Sequence, residues 1–346
     1  MKTSPYSPDG FMKSLYENVY TNPFEKVNTR EEALSVCGNI KAQAKKIFCV
    51  EKIPGRVAEL KPMPVGKPLI YEKYTLQKYS VEICKGLNMA YFMLSPVARK
   101  EKAPGVVALC GHGYGVRQIL NISKKGKKKL IPYLDKYQKN FAVELAERGC
   151  VVIAPELIGF GEARLKKDLI KPFYISSCDE LSHHLLPYGL TVAAMRVFQA
   201  TVCARLLESN ESVENEKISC MGISGGGLTA LYASVTDEAF KKTVISGYIN
   251  TFRDSILSLW HCPDNYIPDI LNTGEIYDFA CALSPRKLLI ESGKNDKLFP
   301  IEASRKAHEN ITRIYALTGA EDNLQIDVFE GKHSVSGRKS FDFLSE

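Results

Sequence analysis

Ser224 lies in Gly222-Ile223-Ser224-Gly225-Gly226, after the apolar run ISCMG and before the helix-like GGLTALYASV. A serine between small residues at a strand–turn–helix junction is held on a sharp turn with its hydroxyl exposed. Such a hydroxyl becomes a nucleophile when a base takes its proton and an acid fixes the tautomer of that base. His333 in FEGKHSVSG follows the apolar run LQIDVFE, and Asp296 in SGKNDKLFP follows KLLIE, so both are predicted just beyond strand ends. The chemistry of that trio is acyl transfer. Ser224 would attack a carbonyl, His333 would relay the proton, and Asp296 would orient the imidazole.

Other candidates fit less well. His308 in EASRKAHENI is expected on a solvated helix face, and His183, His184 and His261 fall in long connections. Asp254, Asp264 and Asp269 precede the strand after which the acid belongs, which leaves Glu291 as the next candidate. A tetrahedral oxyanion needs two fixed donors. The backbone N–H of Gly225 is one, and the N–H of Tyr114 in Cys110-Gly111-His112-Gly113-Tyr114-Gly115 is the other. Those glycines read GxGxG instead of GxGxxG and lead into a lysine-rich segment, so a dinucleotide site is not expected.

These residues need a scaffold. Near-continuous apolar runs (GVVALCGHG, GCVVIAPE, EKISCMGIS, KKTVISGY, RKLLIESG, LQIDVFEG) alternate with helical stretches such as FAVELAERG and LTVAAMRVFQATVCARLLES. That texture predicts an α/β fold with a mainly parallel central sheet and helices on both faces. YSVEICKG and LNMAYFMLSP predict an antiparallel hairpin around Lys85-Gly86. Residues 1–60 read as an N-terminal helical extension that ends at the Pro/Gly-rich IPGRVAELKPMPVGKP, and 61–346 as the catalytic domain. Long connections near 113–138, 155–188 and 247–285 all follow strands, at the end where α/β sheets bind ligands. The third carries Trp260, His261, Pro263, Tyr266 and Ile267, expected to fold over Ser224 as an aromatic lining beside His112 and suited to a stacked sugar ring.

Composition narrows the function classes. With 346 residues, 45% hydrophobic and 25% charged, the chain is of globular type. It contains no apolar run long enough to span a membrane. The start, MKTSPYSPDGF, lacks the apolar core of a secretory signal, so a cytoplasmic location is expected. Ten cysteines, several within apolar runs and none in a CxxC pair, read as core filler in a reducing compartment. No metal and no organic cofactor are expected, because no ligands cluster at short spacing. The formal net charge is +7, and segment 117–139, with eight basic residues against Asp135, carries all of it. Without interleaved aromatics this run reads as a solvated loop, so neither nucleic acid nor a membrane is expected as a partner. The expected partner is a small-molecule ester, and the oligomeric state is not legible.

HGYG (112–115), GISGGG (222–227), SGKND (292–296) and GKH (331–333) together resemble the α/β-hydrolase superfamily. They are most similar to its dienelactone hydrolase and acetyl xylan esterase branches, over about residues 80–346. HGYG resembles acetyl-ester hydrolases in which the tyrosine amide contributes to the oxyanion hole. HCPDNYIPDIL followed by FACALSPRKLLIESGKNDKLFP is similar to large bacterial hydrolases of the acetyl xylan esterase type. The resemblance implies a serine esterase for short acyl groups, acetyl above all. A peptidase or thioesterase with the same trio, or a non-catalytic binding protein on this scaffold, are the alternatives. Glu156 in PELIGFGEAR departs from the Asp of many relatives, with an effect expected on loop geometry alone, and the lysine-rich loop is a second departure.

Overall fold

The apolar runs assemble into a single sheet in the computed structural model, which describes residues 4, 6–97, 102–123, 127 and 137–346. The strands are β1 (Met63–Ile70), β2 (Tyr74–Cys84), β3 (Leu87–Pro96), β4 (Ala103–Leu109), β5 (Val151–Pro155), β6 (Val213–Ile223), β7 (Lys242–Ser246), β8 (Lys287–Gly293) and β9 (Leu324–Phe329). The helices are α1 (Asp9–Val19), α2 (Arg30–Phe48), α3 (Phe141–Glu147), α4 (Cys178–Leu185), α5 (Val192–Glu208), α6 (Gly225–Thr236), α7 (Ile276–Cys281), α8 (Ile301–Leu317) and α9 (Ser340–Ser345).

The strand order is β1-β2-β3-β5-β4-β6-β7-β8-β9. From β5 to β9 every pairing is parallel, whereas β1, β2 and β3 add on antiparallel. β4, β5 and the second half of β6 are mostly apolar, and these with β7 and β8 are almost wholly buried because helices cover both of their faces; the start of β6, Glu214–Lys217, is polar and at least partly exposed. The chain crosses from β5 over β4 to β6, so the carboxyl ends of β4 and β6 are neighbours and Leu109 lies opposite Gly222. That register brings the two glycine-rich turns together.

One expectation changes here. The Pro/Gly-rich stretch read as a connection includes β1, an exposed edge strand with Pro64 and Pro68 and an irregular register between Val65 and Leu69. Proline is tolerated there because an edge strand leaves donors unpaired. The N-terminal helices also reach the common core. Helix α2 starts at a Thr29–Glu32 capping box and buries Ala33, Cys37, Ile40, Ala44 and Phe48. The Phe48 ring packs 4.5 Å from Tyr232 of α6.

His308 is not solvated. It faces inward from α8, with Nε2 3.1 Å from the Ser292 hydroxyl at the end of β8. Burial, with Arg305 nearby, lowers its pKa from 6.5 to about 4. A folded value below the unfolded one means that this neutral imidazole contributes fully above pH 6.5, and that the contribution is lost as pH falls toward 4. Between pH 7 and 5 the native chain should lose about 2 kcal/mol more stability than His308→Gln in urea titrations. Equal losses would show that the ring is not held neutral.

Candidate active site

Ser224 ends β6 and begins α6 with φ 57° and ψ −123°, a left-handed conformation that a non-glycine residue adopts only when its surroundings enforce it. Its neighbours explain the enforcement. A Cβ at Gly222 would lie 2.0 Å from the Gly226 carbonyl oxygen, and one at Gly226 would lie 2.0 Å from that of Leu109. Backbone therefore packs directly on backbone at both positions. The Ser224 N–H donates to Ser246 O at 2.9 Å, which ties the turn to β7.

Asp296 and His333 meet beyond β8 and β9. Nδ1 of His333 is 2.7 Å from Asp296 Oδ2, while Asp296 Oδ1 accepts from the N–H groups of Leu298 (2.9 Å) and Phe299 (3.1 Å). The acid is thus fixed by its own loop before it meets the imidazole. The His333 ring stacks on Tyr137 and on Phe299, nearly parallel to both, with centroids 5.5 and 5.6 Å away. Its Nε2 is shut off from solvent and has no hydrogen-bond partner among the described residues. Two glycines place the ring relative to the turn. A Cβ at Gly247, next to Ser246, would meet it at 3.1 Å. One at Gly111 would touch both the Tyr137 hydroxyl oxygen (2.6 Å) and Ser224 Cβ (3.2 Å).

Glu291 does not reach His333. It is buried and accepts from Ser336 N, Gly337 N and the Ser340 hydroxyl, so it organises the segment that follows the histidine.

The turn after β4 lies against the elbow. Tyr137 donates its hydroxyl to His112 O, and Gly111 N–H donates to Gln138 Oε1 at 2.8 Å. Among the described residues no protein acceptor takes the N–H of Tyr114 or of Gly225. Glu156 braces this turn from beneath, accepting from Val116 N at 3.2 Å. Burial lifts its pKa to about 7, against the opposing effect of that hydrogen bond. A Cβ at Gly115 would lie 2.1 Å from Glu156 Oε1, and one at Gly161 would lie 2.3 Å from its Oε2, so only glycine fits at either place. The glutamate therefore joins the first and second long connections.

A polar cluster that sequence reasoning missed lies alongside. His112 covers Gly225, where an added Cβ would meet its Cε1 at 2.8 Å. On its other side His112 Nε2 is 2.9 Å from Asp264 Oδ2, without the alignment of a hydrogen bond. Arg196 of α5 is fully buried. It donates to Asp264 Oδ2, to Ile158 O and to Cys178 Sγ (3.0 Å), and lies 3.9 Å over the Phe160 ring. Burial opposes charge on His112, yet Asp264 brings its pKa up to about 9. Asp264 itself is held far below the usual carboxylate range, despite burial, by His112 and Arg196. A hydrogen bond with Cys262, together with Arg196 and His112, holds the Cys178 thiol well below its ordinary value, and Cys262 is pushed up in turn. Sequence spacing keeps these residues apart; the signal available was Arg196, a charge in the otherwise apolar first two turns (Val192–Phe198) of a largely buried helix.

The rings of the third connection take different places: His261 packs edge-on to Phe299, with centroids 5.4 Å apart, next to the His333 ring that Phe299 stacks on. Trp260 is 85% exposed, His261 is buried with Nε2 3.1 Å from the Ser255 hydroxyl, and Tyr266 donates to Ile256 O. Among the described residues neither Trp260 nor Tyr266 stacks on another ring. A π-helical turn at Phe252–Ile256 and short 3-10 turns at Pro263–Asn265 and Ile270–Asn272 set these directions. Most of the basic run lies outside the described residues. Arg117 is buried, 3.6 Å over Phe173, and Lys139 donates to Ser336 O. Among the described residues no single helix is long and apolar enough to cross a membrane.

No protein-family model matches the chain. It is 24% identical to "Putative hydrolase YtaP" of Bacillus subtilis (strain 168) over 276 residues, 75% of this chain and 85% of that protein. Among solved structures it is similar to a "putative acetyl xylan esterase" from Bacteroides fragilis NCTC 9343, with TM-score 0.79 and 16% identity over 94% of this chain and 83% of that one. Methylesterase BT1017 superposes with TM-score 0.68 at 17% identity, over 97% of this chain and 67% of that one. A glucuronoyl esterase from Solibacter usitatus gives 0.62 at 14%, over 87% and 90%. The expected fold therefore holds: the chain has the α/β-hydrolase fold.

The elbow geometry separates two adjacent glycines. Gly226→Ala forces a methyl into the Leu109 carbonyl and should cost more than about 3 kcal/mol, whereas Gly225→Ala meets the His112 side chain and no backbone, and should cost less, about 1–2 kcal/mol. Thermal and urea denaturation of the two variants checks the order.

Proposed function

We propose that this chain is a serine hydrolase of carboxylic esters, with short acyl groups, acetyl foremost, as its substrates. One observation carries the reading. Asp296 fixes Nδ1 of His333 at 2.7 Å, the opposite nitrogen is sealed from solvent with no partner among the described residues, and Ser224 is held in a strained turn at the same end of the sheet. In this reading Ser224 Oγ attacks the ester carbonyl as His333 Nε2 takes its proton. The N–H groups of Gly225 and Tyr114 hold the oxyanion, and His333 returns the proton to the leaving alcohol. Water then cleaves the acyl-enzyme with His333 as base. The stacked Tyr137 and Phe299 rings keep the imidazole in plane with Asp296 throughout.

Room near the hydroxyl supports a small acyl group. Ser224 is only 9% exposed, a Cβ at Gly111 would lie 3.2 Å from its Cβ, and His112 covers the next residue, Gly225. The alcohol is proposed to be carbohydrate-like, in keeping with the names of the solved relatives and with the exposed ring of Trp260. Free rings of that kind stack on flat apolar sugar faces.

With p-nitrophenyl acetate, Ser224→Ala should lose about 10⁴-fold or more in kcat with folding intact, and Asp296→Asn about 10³–10⁴-fold. Undiminished turnover in Ser224→Ala refutes the mechanism, and fastest hydrolysis of decanoyl esters refutes the short-acyl preference. Trp260→Ala should raise KM for acetylated xylo-oligosaccharides several-fold and leave p-nitrophenyl acetate unaffected. If both substrates respond alike, Trp260 is not a sugar platform.

A further inference from the structure

We infer that His112, Cys178, Cys262 and Asp264 form a tetrahedral zinc site that clamps the three long connections around Ser224. One donor atom from each of the four residues lies within 4.8 Å of every other. The measured pairs are 2.9 Å for His112 Nε2 to Asp264 Oδ2 and 3.9 Å for Cys178 Sγ to Asp264 Oδ2. Zinc bonds of ~2.0–2.3 Å in a tetrahedron place the donors roughly 3.3–3.8 Å apart, so adjustments of about an ångström suffice. Two thiolates, an imidazole and one carboxylate are borderline-soft ligands of the kind that select zinc over calcium or magnesium.

The surroundings fit a metal better than they fit an idle polar cluster. His112 Nε2 is cut off from solvent 2.9 Å from Asp264 Oδ2, so an imidazole nitrogen and a carboxylate oxygen already lie as near neighbours, as two ligands of one ion would. Arg196 donates to Cys178 Sγ and to Asp264 Oδ2 from a fully buried position, the outer-shell placement that fixes ligands and tempers their charge. Asn265 Nδ2 holds the other Asp264 oxygen at 2.8 Å. Formal charges close: two thiolates and the carboxylate carry three negative charges, and zinc with Arg196 carries three positive ones. Zinc uptake displaces the protons on the imidazole and the thiols.

All four positions are filled by protein, so the ion is structural. His112 belongs to the turn after β4, Cys178 opens α4 in the second connection, and Cys262 and Asp264 come from the third. One ion would tie together segments that share little regular structure. The inference does not rest on the esterase reading, since metal content is read without any substrate.

The full-length chain, purified under a phosphine reductant and loaded with Zn(II), should retain about one zinc per chain by mass spectrometry. Co(II) in its place should give the near-ultraviolet thiolate-to-cobalt bands and the intense visible bands of a four-coordinate site. Cys262→Ser should weaken cobalt binding by more than about 100-fold, while Cys203→Ala, at a buried cysteine elsewhere, leaves it unchanged. A readout without variants guards against misfolding. Zinc should protect Cys262 from iodoacetamide but not Cys49, the other half-buried thiol. Sub-stoichiometric uptake, cobalt spectra without thiolate bands, or equal alkylation of Cys262 with and without zinc would each overturn the site. So would a Cys178–Cys262 disulfide in protein handled without reductant that re-forms in the presence of zinc, since it would make the pair a redox couple instead.

Discussion

Backbone packed against backbone at the junction of β4 and β6 is the constraint on which the rest of the molecule turns. Leu109 lies opposite Gly222, and the first turn of α6 passes so close to the end of β4 that no side chain fits at Gly222 or Gly226. That closeness holds Ser224 at a positive φ and brings Gly111 and His112 over it. Strain of this kind costs on the order of 1–3 kcal/mol and persists only where surrounding structure over-determines it. Five parallel pairings and an almost wholly buried α5 supply that surplus here.

Away from the sheet, buried carboxylates do for the loops what ladders do for strands. Glu156 accepts from Val116, Glu291 from Ser336 and Gly337, and Asp296 from Leu298 and Phe299. Each anion satisfies N–H groups that have no strand or helix to join, and such charge-assisted bonds are about twice as strong as neutral ones. The cost is desolvation, visible in the raised pKa of Glu156. A long connection can therefore keep one shape without repeating structure of its own.

How much of this the sequence disclosed follows from the range of the interactions. The strands from β2 onward and the positions of Ser224, Asp296 and His333 were legible because each depends on a local signal: an apolar run, a glycine turn, a strand end. β1 was obscured by its prolines, which an exposed edge tolerates. His308 was misjudged because a polar residue on a charged helix says nothing of the Ser292 hydroxyl opposite it. The cluster of His112, Cys178, Arg196, Cys262 and Asp264 was invisible for a stronger reason. Its members are separated by up to 152 positions in numbering and meet only because three connections fold over one sheet end. Spacing rules for metal ligands or ion pairs carry no information at that range.

The N-terminal helices belong to the same logic. Tyr16 of α1 donates to Glu275 Oε1 at 2.7 Å, and Tyr20 just beyond that helix donates to Asp278 Oδ2 at 3.0 Å. Glu275 also accepts from Phe252 N and Arg253 N, at the turn that opens the third connection, and caps α7 through Ile276 N. A single buried carboxylate thus couples the start of the chain to the segment that carries His261, Cys262 and Asp264. Burial raises the Glu275 pKa while its N–H donors and Tyr16 oppose that rise, so the tyrosine hydroxyl offsets part of the desolvation of an anion that the loop requires. The extension that carries no motif of its own is joined, through Glu275, to the loop that completes the polar cluster beside Ser224.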